Sequence, residues 1–85
     1  KSLKKNANLL RKWRKANNWT LQDVADELNT MELNEGTILE HHVSRWELGV
    51  HIPNYEIVQA LSEITRIPAA RLLDNFRATQ NKKVS

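Results

Sequence analysis

Apolar side chains recur at helical intervals along most of this chain. Leu3, Ala7, Leu10 and Trp13 stand three or four apart while lysines and arginines take the other faces, which predicts a first helix from Ser2 or Leu3 to Asn17. Asn17 and Asn18 end it. Thr20 then offers an N-cap hydroxyl with Asp23 three residues on, and Leu21, Val24, Ala25 and Leu28 form the apolar stripe of a second helix. Residues 29–36 read as an extended or irregular connection, because Met31 continues the stripe whereas Asn34 and Gly36 are break signals. Thr37 and Glu40 have the spacing of a capping box, and Leu39, Val43 and Trp46 form a stripe ending before Gly49, so a third helix is expected at about residues 39–47. Pro53 and Asn54 open a fourth, with Tyr55, Val58, Leu61 and Ile64 on its apolar face, and Arg66 to Pro68 breaks it. A short last helix over Ala69 to Phe76 sets Leu72, Leu73 and Phe76 against the others, with Ile67 filling the gap. No segment alternates as a strand, and no internal repeat is visible.

The pattern therefore predicts an all-α protein, a compact five-helix bundle. Its 85 residues provide for one core. The expected division is a folded domain over residues 1–76 and a flexible basic tail over 77–85. With no cysteine, disulfide scaffolds, thiolate zinc sites and cysteine nucleophiles are excluded. Only two glycines are present, which argues against a phosphate-cradling glycine loop. No apolar run is long enough to span a membrane and no signal-like stretch precedes a cleavage site, so the expectation is a soluble, intracellular chain.

Net charge is +3, but the charges are segregated. Lys1, Lys4, Lys5, Arg11, Lys12, Arg14 and Lys15 precede any carboxylate. Asp23, Asp26, Glu27, Glu32, Glu35 and Glu40 follow with no Lys or Arg among them. A basic block suits phosphate or another anionic surface, and equally suits a solvated helix face.

Two short helices in series, then a Glu-x-Gly stop and a proline, follow the order of a helix-turn-helix unit. LRKWRKANNWTLQDVADEL, HVSRWELG and PNYEIVQALSEI together resemble the Cro and phage-repressor helix-turn-helix family, the Xre-like domains, over roughly residues 9–73. The elements that carry the likeness are Leu10 to Arg14, Thr20 to Ala25, Ser44 to Gly49 and the P-x-Y-E that follows. The resemblance implies a lambda-repressor-like fold and a cytoplasmic, nucleoid-associated transcriptional regulator, in the main a repressor of phage, plasmid or bacterial origin. It also implies double-stranded DNA as partner, in the form of a palindromic operator bound by a homodimer. Against the tight turn usual in that family, this chain carries an acidic insertion at residues 29–36 between its second and third helices, which should point away from DNA or contact a protein partner.

A B-DNA major groove about 12 Å wide admits one α-helix. With Leu39, Val43 and Trp46 inward, the third helix leaves His41, Ser44, Arg45 and Leu48 outward, flanked by Glu40 and His42. Arg45 can donate two parallel hydrogen bonds to guanine O6 and N7, or grip a phosphate. His41 and Ser44 can donate or accept; Glu40 can accept from cytosine N4 or close the capping box with Thr37. The resemblance places Glu40, His41 and Arg45 where base-reading side chains sit. Helix N-termini supply amides and a favourable dipole for phosphates, making Thr20, Gln22, Asn54 and Tyr55 the backbone candidates. His51 stands where the family often has a lysine or arginine, and Leu21 where it often has a glutamine. The resemblance also sets Arg14 beside Glu47 as a structural ion pair locking the first helix onto the third.

Other readings are weaker. His41 and His42 are adjacent on a helix, and no third ligand has convincing spacing for a metal. The basic first helix resembles a membrane-surface or calmodulin-binding helix in pattern, but its apolar face is needed to cover the core. Trp13, Trp19 and Trp46 fall at positions expected to be inward. No nucleophile with a base, paired carboxylate cleft or phosphate loop supports an enzyme, and no cofactor is implied. The rival from another class is a protein-interaction adaptor or antitoxin-like module built on the same scaffold without base reading.

Overall fold

The computed structural model describes residues 8–34 and 36–80. Five helices are present and no strand occurs among the described residues: α1 (Leu9–Ala16), α2 (Leu21–Asn29), α3 (Glu40–Leu48), α4 (Tyr55–Thr65) and α5 (Ala69–Ala78). α2 packs most closely on α3, α4 on α5, and α1 and α2 close the globule over α5 and α4. The core is assembled from Leu10, Val24, Leu28, Val43, Ile57, Val58, Leu61, Leu72 and Phe76, each almost wholly removed from water.

Sequence chemistry sets each boundary. Asn8 is extended at ψ 120° and its Oδ1 accepts the Arg11 N–H, so α1 starts at Leu9 rather than running unbroken from Ser2 or Leu3. Leu3 and Ala7 lie outside the described residues. The Leu9 N–H donates to Asn75 Oδ1 at 2.8 Å, which ties the start of α1 to α5. Only Leu10 of α1 is buried. Trp13 lies at the rim instead, edge-on to Trp19 with ring centroids 5.1 Å apart, so neither is a fully inward residue as expected. Asn18 stops the chain in the left-handed region at φ 59°, a conformation asparagine tolerates better than most side chains.

α2 opens on a complete capping box. The Thr20 Oγ1 accepts the Asp23 N–H at 3.0 Å and the Asp23 carboxylate accepts the Thr20 N–H at 2.8 Å. The connection to α3 is long but closed at its base: Asn29 Oδ1 accepts the Ile38 N–H at 2.7 Å, and Asn29 Nδ2 donates to the Ile38 carbonyl at 2.9 Å. One side-chain amide thus satisfies both backbone groups of a residue nine positions away. Within the connection Met31 and Leu33 pack against the core, and the Asn34 N–H reaches the Glu56 carboxylate on α4. The insertion is therefore seated on α4; Glu32 is exposed, and residue 35 lies outside the described residues.

α4 follows Asn54, whose Oδ1 accepts the Ile57 N–H at 3.0 Å. Its buried face is Ile57, Val58, Ala60 and Leu61, whereas Tyr55 is 58% exposed. The interval-of-three stripe that began at Tyr55 drifts around a helix of 3.6 residues per turn, and the true face begins at Ile57. Arg66 ends α4 at φ 67°. The Ser62 hydroxyl donates to the Ile67 carbonyl and Thr65 Oγ1 accepts the Ile67 N–H, so the turn into α5 is fixed from both sides. α5 continues through Arg77 and Ala78, two residues into the segment expected to be a tail, and Thr79 caps it. Residues 81–85 lie outside the described residues. Leu72 and Phe76 are core residues, buried inside this chain. Among the described residues no helix is long and apolar enough to cross a membrane.

Candidate nucleic-acid interface

The outer side of α3 is built from its N-terminus. Leu39, not Thr37, is the N-cap: it is extended at ψ 162° and its N–H donates to His42 Nδ1 at 2.9 Å. The capping box expected between Thr37 and Glu40 is thus replaced by a histidine that reaches back three residues. Glu40 is left exposed with its carboxylate outward, and Leu39 is 47% exposed while Ile38 is buried in its place. Accepting at Nδ1 sets the His42 proton on Nε2. Burial pushes the His42 imidazole below its ordinary value, and His41, Arg45 and His51 push it further the same way. The His41 and His42 rings lie against each other, centroids 4.3 Å apart.

One turn on, Trp46 is buried while Arg45 is exposed and Ser44 half-buried, so successive positions of the helix divide between the core and the solvent. No ion pair among the described residues engages Arg45. Leu48 closes the outer row at 61% exposed. Gly49 then turns the chain at φ 81°, and the Arg45 carbonyl accepts the Val50 N–H at 3.0 Å. That contact holds the next loop beside α3.

The result is a groove of about 370 Å³ between α3, this loop and the start of α4. His42, Arg45, His51 and Asn54 stand on its walls over Ile38, Trp46 and Ile57, and no lining residue is acidic. Of the backbone-phosphate candidates, His51 and Asn54 meet here and Tyr55 follows them at the mouth of α4. Its hydroxyl accepts from Gln59 Nε2. Thr20 and Gln22 are elsewhere and differently occupied. Asp23 already places a carboxylate at the positive end of α2, and Gln22 Nε2 donates to Asp26 at 2.8 Å. What the sequence reading missed is the role of His42, named there only as a flanking residue, which caps α3 by accepting the Leu39 N–H.

Outside the lining of the groove, Arg14 and Glu47 meet. Arg14 Nε and Nη2 donate to the two carboxylate oxygens of Glu47 at 2.7 and 2.9 Å, and Nη1 donates to the Trp19 carbonyl at 3.0 Å. The side chains are 12% and 4% exposed. The hydrogen bonds to Glu47 raise the already high Arg14 pKa, against an opposing effect of burial. Helix α1, the turn before α2 and helix α3 are thereby joined at one guanidinium. Among the described residues no group of three or more acidic or histidine side chains is placed to hold a metal ion.

Comparison of the chain with protein-family models, with curated proteins and with solved structures gives no match in any of the three.

Proposed function

We propose that the protein is a double-stranded DNA-binding domain of the lambda-repressor-like helix-turn-helix type, part of a transcriptional regulator, with α3 in the major groove. The observation that carries this reading is the division of α3, Trp46 anchored in the core and its neighbour Arg45 exposed to solvent, flanked by His41 and Ser44. A helix so anchored presents a rigid row of donors at the width of a B-DNA groove. Arg45 reads a guanine, Glu40, His41 and Ser44 contact neighbouring base edges, and His51, Asn54 and Tyr55 meet phosphates. A homodimer would span two half-sites about 34–36 Å apart on a palindrome, which places the protein at the nucleoid of a bacterial or phage-infected cell.

Selection of bound duplexes from a randomised pool, followed by anisotropy titration of the selected duplex, tests this. Log affinity should fall with log salt at a slope of about −0.9 per phosphate neutralised. Arg45→Ala should flatten preference at one base position, whereas equal loss on all sequences would reassign Arg45 to a phosphate. No affinity for any duplex at low salt would overturn the proposal. In its place would stand an adaptor module on the same scaffold, a reading favoured by Leu48 and Val50, which leave 61% and 51% of their surface exposed beside α3.

A further inference from the structure

The groove beside α3 joins polar side chains to an apolar floor, where Trp46, Ile38 and Ile57 are 7%, 5% and 2% exposed. At about 370 Å³ it lies within the range of small-molecule sites, which join an apolar wall to a few directed polar groups. Its directed groups share one character. Arg45 brings a guanidinium engaged in no ion pair among the described residues, and His42 is set by Leu39 to present an N–H at Nε2. His51 lines the same groove. Glu47 is taken by Arg14 and Glu56 by the Asn34 amide, while Glu40 is exposed at the start of α3 outside the lining of the groove. Donors over an apolar floor, with no lining carboxylate, select an anion carried on an apolar body.

We infer that this groove binds a small organic anion, a phosphate monoester or carboxylate on a flat apolar group. The oxyanion lies between Arg45, His51 and His42 Nε2, and the apolar body lies against Trp46 and Ile57. Because Arg45 then has an anion as partner, the ligand and a duplex compete for the same guanidinium, which makes the groove an effector site. That consequence rests on the proposed DNA reading, whereas the binding itself does not.

Amide NMR of the full chain without DNA, titrated with phenyl phosphate, benzoate, inorganic phosphate and phenol, is the test. Phenyl phosphate or benzoate should give saturable shifts at Ile38, Ile57 and the Trp46 indole. Affinity should exceed that for inorganic phosphate and for phenol by about tenfold, since only the joined groups use both wall and floor. The stronger of the two organic anions identifies the oxyanion. Arg45→Gln and, separately, the loop variant His51→Gln should each weaken binding several-fold while the remaining spectrum stays folded. Equal, unsaturable shifts with all four probes, shifts centred elsewhere, or indifference to both variants would overturn the inference. If the protein also binds a duplex, the same anion should lower duplex affinity in step with its own occupancy. Anion binding without duplex binding would leave the site standing and remove the DNA reading; duplex binding without anion binding would do the reverse.

Discussion

Arg14 holds Glu47 through two parallel charge-assisted hydrogen bonds and spends its third nitrogen on the Trp19 carbonyl. Because both side chains are largely withdrawn from water, each is costly to leave alone. Arg14→Ala should destabilise the domain by about 3 kcal/mol in urea unfolding, and Arg14→Lys should recover little, since an ammonium lacks the planar fork. The paired replacement Arg14→Met with Glu47→Leu should lose much less than the two single changes summed. Additive losses would show that the two side chains act separately.

Asn29 satisfies both the N–H and the carbonyl of Ile38. Asn29→Ala should cost about 1–3 kcal/mol and speed hydrogen exchange at the Ile38 amide, because a partly buried donor loses its acceptor. Asn29→Asp keeps the acceptor but removes the donor, so it should restore Ile38 amide protection without restoring full stability. Unchanged exchange at Ile38 in the alanine variant would contradict the clamp.

A third prediction concerns pH. His42 accepts the Leu39 N–H at Nδ1 and its imidazole is depressed below the ordinary 6.5 by burial first, then by His41, Arg45 and His51. The unfolded chain therefore binds a proton that the native protein resists. Stability should be fully present above the unfolded value of 6.5 and be lost as pH falls through it toward the lower native value. His42→Gln should flatten that part of the urea-midpoint profile; a profile just as steep in the variant would exclude His42 as its origin.

Arg66 occupies the left-handed position after α4 at φ 67°, where a side chain is strained and glycine is not. Arg66→Gly should stabilise the protein by up to about 1 kcal/mol, a rise in thermal midpoint of several degrees for a domain of this size. A fall in midpoint would mean that the arginine side chain makes a stabilising contact outweighing its backbone strain.

Five helices and most of their ends were legible because capping and apolar spacing act locally. Thr20 with Asp23, Gly49 and Asn54 each punctuate the chain where their chemistry predicts. What misled was local chemistry with two solutions. Thr37 and Glu40 have capping-box spacing, but Ile38 is drawn into the core by Asn29 and the cap falls to Leu39 and His42 instead. Tyr55 and Trp13 fit an apolar stripe on paper, whereas tertiary packing chose Ile57 over Tyr55 and, of the α1 stripe, buried Leu10 alone. The groove was not legible at all, since it joins His42 and Arg45 to His51 and Asn54 through a loop whose course depends on the Arg45 carbonyl.

The clamp between positions 29 and 38 also separates length from geometry. With the two ends of the insertion fastened to each other, the start of α3 is tied to the end of α2 whatever length of polypeptide is strung between. A lineage, or an engineer, can splice a peptide between the exposed Gly36 and Thr37, leaving the Leu33 and Asn34 contacts in place, while the outward helix keeps its aim.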